Sequence, residues 1–232
     1  LVGSEMCIRD RAESISKVTE LNKAMEDLHN ALISNATPVH ASVNYINADE
    51  DLQNQFDQAL QQARNTLSKA TGKPASIEEV QGLIQSIKDT KEALNGDQRL
   101  AKAKFKAEIF INQLKDLNNA QRVDSIKQAN DTDNLKDLSQ IVSTASDLNN
   151  SMSELKAKLK ETVNPVKSSI NYINADYDLK RQFNKAIKDA REALSKTKGA
   201  NLNERDIQGL SQAIDSTKDA LNGEQRLSLI HI

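Results

Sequence analysis

An all-α fold, built as tandem three-helix bundles that share long connecting helices and stack into an elongated rod, follows from three observations. Breakers are scarce, with seven Gly and three Pro in 232 residues, so long helices are permitted. Apolar residues recur at spacings of three and four rather than two, the helical period. The chain also repeats itself. Asn44-Tyr45-Ile46-Asn47-Ala48-Asp49 returns as Asn171-Tyr172-Ile173-Asn174-Ala175-Asp176, a step of 127 residues. Ala93-Leu94-Asn95-Gly96 with Gln98-Arg99-Leu100 returns as Ala220-Leu221-Asn222-Gly223 with Gln225-Arg226-Leu227 at the same step. The step holds from about Leu21/Leu148 to Leu100/Leu227. A period this long marks a repeated domain or domain pair rather than a solenoid unit.

The elements follow in order. Leu52, Phe56, Ala59, Leu60, Ala63 and Leu67 form an apolar stripe on one helix, copied by Leu179, Phe183, Ala186, Ile187, Ala190 and Leu194. Asp49 and Asp176 stand where an N-cap belongs, and Gly72 and Gly199 lie past the far ends. A second stripe, Val80, Leu83, Ile87, Thr90 and Leu94, recurs as Ile207, Leu210, Ile214, Thr217 and Leu221. Asn95-Gly96 and Asn222-Gly223 follow at once and read as C-caps.

Between the copies, Leu100, Ala103, Ala107, Phe110, Ile111, Leu114 and Leu117 mark another helix. A shorter one runs through Val123, Ile126 and Ala129, bounded by Asn118-Asn119 and Asp131-Thr132-Asp133. The longest pattern then extends from Leu135 through Leu148 to Val163 with no Gly or Pro. At 1.5 Å per residue it spans about 45 Å, too long for one small bundle. Its first half closes one bundle and its second half opens the next. Pro165, like Pro38 in the first copy, should kink or end it.

The expected domains are residues 12–96, 97–150 and 141–227, with the third helix of the middle bundle shared. Residues 1–11 and 228–232 break the repeat and read as non-native tails, so the only cysteine, Cys7, is set aside with them. The repeat itself lacks cysteine, which suits an extracellular Gram-positive surface protein and a cytosolic helical protein alike.

Composition excludes several classes of function. The 31 basic and 33 acidic residues are interspersed, which argues against the basic face that nucleic acid needs. No apolar run is long enough to span a membrane. No nucleophile–base pair, metal-ligand spacing or phosphate loop occurs, and no enzyme, catalytic residue, cofactor or metal is expected. His29 and His40 align with Lys156 and Lys167, and His231 lies in the final tail, so all three read as surface residues. Asn47 and Asp49, with Asn174 and Asp176, offer too few oxygens for calcium and read as caps. Gly82 and Gly209 fall inside helices, where close helix approach is the expected reason. Tyr45 and Tyr172 should pack beneath their turns with the hydroxyl at the surface.

These residues carry a resemblance. Ile46-Asn47-Ala48-Asp49 with Leu52, Phe56, Ala59 and Ala63, and the copy from Ile173, resemble the FIVAR module. The intervening segment, with Ala107, Ile111, Leu114, Leu117-Asn118 and Asn119-Ala120-Gln121, is similar to the GA module. Their alternation over about 12–227 resembles the repeats of giant staphylococcal matrix-binding surface proteins. The resemblance implies a cell-wall-anchored extracellular rod that adheres to host matrix, fibronectin above all, as a monomer. GA modules elsewhere bind albumin through their second and third helices, here about Val123–Asn130 and Leu135–Leu148. Exposed positions there are mainly Asp, Lys, Gln and Ser with no aromatic anchor, which argues against albumin for this copy. The alternatives are a discrete host-protein receptor of the albumin-binding type and a cytosolic helical scaffold.

Overall fold

Phe56 and Phe183, one per repeat, are fully buried and anchor two separate helical cores. The computed structural model of the chain describes residues 2–68 and 74–230, with side chains over 8–68 and 74–228. The expected terminator Gly72, His231 and the Cys7 side chain lie outside these. All regular structure among the described residues is helical, as expected. The chain divides after Lys102 into two compact units.

In the first unit, α1 (Val2–His40), α3 (Glu50–Leu67) and α4 (Ile77–Glu92) pack pairwise as a three-helix bundle, with the one-turn α2 (Val43–Ile46) at the end of α1. Ala24, Leu28 and Val39 of α1 meet Phe56, Ala59, Leu60 and Ala63 of α3 and Val80 and Ile87 of α4. Each large apolar side chain so buried contributes about 1.5–3 kcal/mol. Helix α1 begins at Val2, inside the segment that breaks the repeat. Ser76 starts α4 through a capping box: its hydroxyl accepts from Glu79 N, and Glu79 reaches back to Ser76 N at 2.8 Å.

The second unit takes in most of α5 (Gly96–Gln113), followed by α6 (Asn119–Asp131) and α7 (Leu135–Ser168). The one-turn α8 (Ile170–Ile173), α9 (Tyr177–Ala193), α10 (Glu204–Asp219) and α11 (Gly223–Ile230) complete it. Helix α7 has 34 residues and is shared as expected. Leu138, Ala145 and Leu148 are buried in its first half, which packs on α6. Leu155, Leu159 and Val163 are buried in its second half, beside α9 and α10.

The prolines neither end the helices where they stand nor mark the stop. Pro38 and Pro165 lie inside α1 and α7, which run on to His40 and Ser168. A proline disturbs the turn before it, and the residues after it can stay helical. The stop comes from Ser42 and Ser169, whose extended backbones turn the chain while each hydroxyl caps the next short helix at Tyr45 N or Tyr172 N.

Other expectations are corrected. Helix α5 ends at Gln113, so Leu114 and Leu117 belong to the following turn, where Leu117 is still fully buried. Phe110 (40% exposed) and Val123 (66%) face outward, while Ala107, Ile111, Gln121 and Ala129 do the burying. Phe105 on α5 is also exposed. A β-carbon at Gly82 or Gly209 would meet nothing within 4 Å, so neither glycine serves close helix approach.

Candidate functional site

Within each copy, the two echoed motifs touch each other. In the first unit, Asn95 donates from Nδ2 to Asp49 Oδ2 at 2.7 Å and accepts at Oδ1 from Asp49 N at 3.0 Å. Arg99, one turn into α5, pairs through Nε with Asp49 Oδ1 at 3.1 Å and donates from Nη1 to Asn47 O at 2.7 Å. Asn44 Oδ1 accepts from Asp97 N at 3.0 Å. The second unit copies every bond: Asn222 with Asp176 at 2.6 and 3.0 Å, Arg226 with Asp176 at 3.2 Å and with Asn174 O at 2.9 Å, and Glu224 N with Asn171 at 3.2 Å. Each clasp ties the first turn of an outgoing helix to the turn at the end of α2 or α8. The ion pair is half exposed and adds little by itself. Orientation comes from the bonds to backbone groups.

This arrangement revises two expectations. Asp49 and Asp176 occupy N-cap positions, yet neither makes a side-chain capping bond, because both carboxylates are spent on the clasp. Asn95-Gly96 and Asn222-Gly223 are not C-caps: α4 and α10 are capped at Ala93 and Ala220, and each glycine opens the next helix. No described glycine has positive φ. Glycine is required at Gly96 because a β-carbon would lie 2.0 Å from Asn44 O and 2.7 Å from Ala48 N. At Gly223 the corresponding distances are 2.2 Å to Asn171 O and 2.8 Å to Ala175 N.

The other signature residues stand apart from the clasp. Tyr45 packs edge-on to Phe56, and Tyr172 to Phe183. Their hydroxyls meet Asp57 at 2.8 Å and Asn184 rather than only solvent. Burial, helped by the Asp57 carboxylate, pushes the Tyr45 hydroxyl up to about 12. Ile46 and Ile173 are exposed. His40 is not a free surface residue: its ring packs edge-on to Tyr45, and Nε2 lies 2.6 Å from Asp57 Oδ1.

A second joint, which the sequence marked only as a helix boundary, lies within the second unit. Asn118 is fully buried at the N-cap of α6. Its Oδ1 accepts from Gln121 N at 2.9 Å, while Nδ2 donates to Ala193 O, in the last residue of α9, at 3.2 Å and to Ala200 O beyond it at 2.9 Å. Gln121 donates to Leu202 O at 2.9 Å, and Asn119 N to Lys196 O at 2.9 Å. In return Lys196 Nζ donates to the carbonyls of Lys115 and Leu117. Gly199 passes so close that a β-carbon there would lie 2.5 Å from Asn118 Nδ2. Lys156 donates to Asp116 at 2.9 Å and holds that carboxyl below its usual range, whereas burial pushes the Lys196 ammonium down.

Arg122 closes the preceding turn by giving its guanidinium to four carbonyls: Ile111 and Asn112 at 2.9 Å, Leu114 at 2.8 Å and Leu117 at 3.4 Å. Ile111 and Asn112 lie in the last turn of α5, where carbonyls run out of helical partners, and Leu114 and Leu117 lie in the turn that follows. Replacing Arg122 with Lys keeps the charge and loses the planar fork. We expect a loss of about 2 kcal/mol, read as a lower urea midpoint. An unchanged midpoint would mean that water serves those carbonyls equally well.

Neither joint resembles a catalytic centre, and no described cluster of His, Cys, Asp and Glu could hold a metal ion. Duplicated bundles with duplicated clasps define a tandem helical-repeat protein. The chain belongs to the FIVAR-domain family: the FIVAR domain matches residues 17–95 and 151–222, and a GA module matches 97–151 between them. The extracellular matrix-binding protein ebh of Staphylococcus aureus strain MRSA252 is 36% identical over 217 residues, 94% of this chain and 2% of that protein. Its counterpart in strain NCTC 8325 / PS 47 is 36% identical over 226 residues, 97% of this chain. The chain thus spans about 2% of the length of these curated relatives. A crystal structure of the 756–1003 domain of EbhA from Staphylococcus aureus is similar with a TM-score of 0.78 at 26% identity, covering 88% of this chain and 80% of that one.

Proposed function

We propose that this chain is a non-catalytic structural and adhesive segment of a wall-anchored rod on a bacterial cell surface. It acts by reach and by number: each module makes weak contact with host matrix such as fibronectin, and repetition turns weak contacts into firm attachment. The observation that carries this reading is the duplicated clasp, which spends the most recognisable residues of each repeat on joining helices rather than on a pocket. Relatives named as extracellular matrix-binding proteins support the adhesive half of the proposal. No helix among the described residues is long and apolar enough to cross a membrane.

The test compares one copy with many. A single chain should show no saturable heat with fibronectin fragments at micromolar concentration, whereas beads coated densely with the chain should be retained on a fibronectin surface. Failure of the coated beads to bind would remove the adhesive role. Tight one-to-one binding of albumin by the single chain would favour a discrete receptor.

A further inference from the structure

We propose that Asn95-Gly96 and Asn222-Gly223 are latent deamidation sites, which the closed clasp protects and which record its opening permanently. The clasp itself imposes this dipeptide. Gly96 and Gly223 admit no side chain, since a β-carbon would fall 2.0 or 2.2 Å from a backbone oxygen. The residue before must accept from the Asp N–H and donate to the same Asp carboxylate, at 3.0 and 2.7 Å for Asn95. A primary amide offers both functions on one short side chain, and an ionised carboxylate cannot donate. Asparagine followed by glycine is also the pair most open to succinimide formation, because glycine leaves its nitrogen unhindered.

In the reaction, the Gly96 backbone nitrogen attacks Asn95 Cγ and closes a five-membered imide. The side-chain nitrogen leaves as ammonia, taking up the proton from the Gly96 amide. Water then opens the ring at either carbonyl, giving aspartate or isoaspartate, with no oxidant or reductant involved. In the folded chain this attack is blocked. The Asn95 amide is held at both ends by Asp49, and Gly96 is buried against Asn44 and Ala48. Reaction therefore passes through the open clasp, at a rate scaled by how often it opens.

The product cannot restore the joint. Aspartate would set a second carboxylate against Asp49, a like-charge contact that opposes closure. Isoaspartate adds a methylene to the backbone where Gly96 already has no spare room. An opened clasp that has reacted stays open.

The experiment is peptide mapping by mass spectrometry of the whole chain, incubated at neutral pH and body temperature. Asn95 and Asn222 should deamidate at least about tenfold more slowly in the folded chain than in denaturant. Arg99→Ala should raise the rate at Asn95 and leave Asn222 unchanged as an internal control, and Asp49→Asn should do the same. Equal rates in folded and denatured chain would overturn the proposal, as would unchanged rates in both variants with helical content intact. Asn95→Asp supplies the reacted state directly: its first bundle should melt earlier, and an unaltered melting curve would refute the loss of closure. None of these readouts depends on matrix binding.

Discussion

Replacing Asn118 with Asp should destabilise the chain by about 3–5 kcal/mol at neutral pH, an estimate that combines two lost donor bonds with a buried charge. The two side chains have nearly the same shape, so packing changes little. What changes is that Nδ2, which donates to Ala193 O and Ala200 O, becomes an oxygen facing two oxygens. Asn118 has no exposed surface, so water cannot take over the two carbonyls. The capping bond from Gln121 N survives, because a carboxylate accepts as well as an amide does. The loss is thus assigned to the joint that ties α6 to the last residue of α9 and the segment after it. Burial and the facing carbonyls raise the new carboxyl's folded pKa above its unfolded value. The penalty is then present at neutral pH and relieved as acid protonates it. Equilibrium unfolding in urea at two pH values would measure both effects. The neighbouring exposed Asn119→Asp puts a similar charge at the same helix start and should change stability by no more than about 0.5 kcal/mol. If both variants unfold alike, the Asn118 bonds across the joint carry no stability.

The bundles were legible because their determinants are local. Phe56, Ala59, Leu60 and Ala63, like Phe183, Ala186, Ile187 and Ala190, form one face at helical spacing, and that face is the buried one. The sharing of α7 was legible for the same reason, since an apolar row that long outlasts one bundle. The joints were not. Asn95-Gly96 has the local form of a helix terminator, and only contact with Asn44 and Ala48, far back in the chain, shows why glycine stands there. Both halves of the clasp were visible as echoes at one step, and their constant separation within each copy hinted at a contact that periodicity cannot express. Asn118 and Gln121 could be read as a capping box, but their second partners lie some 75 to 82 residues on. His40 misled because its counterpart is Lys167. The position tolerates either residue, while the ring finds Tyr45 and Asp57.

Four glycines at matched positions should therefore respond to alanine with opposite signs. Gly82→Ala and Gly209→Ala should each stabilise the chain by about 0.5–1 kcal/mol, because alanine loses less backbone freedom on forming a helix. Both sites are exposed, lie inside α4 and α10, and have open space where the methyl would go. They stand in different bundles, so their effects should add. Gly96→Ala and Gly223→Ala should instead cost about 2–4 kcal/mol each, at or above the usual range for overpacking. The methyl at Gly96 would collide with a backbone oxygen and a backbone nitrogen, neither of which can rotate away as a side chain could. Relief requires moving the Asn44–Ala48 turn off the start of α5, and that motion also breaks the bonds from Asn95 and Arg99 to Asp49 and Asn47. Urea midpoints of the four single variants and of the Gly82→Ala/Gly209→Ala pair would decide the matter. A neutral Gly96→Ala would mean that the turn yields easily. The clasp would then be a consequence of how the helices meet, not a constraint upon it.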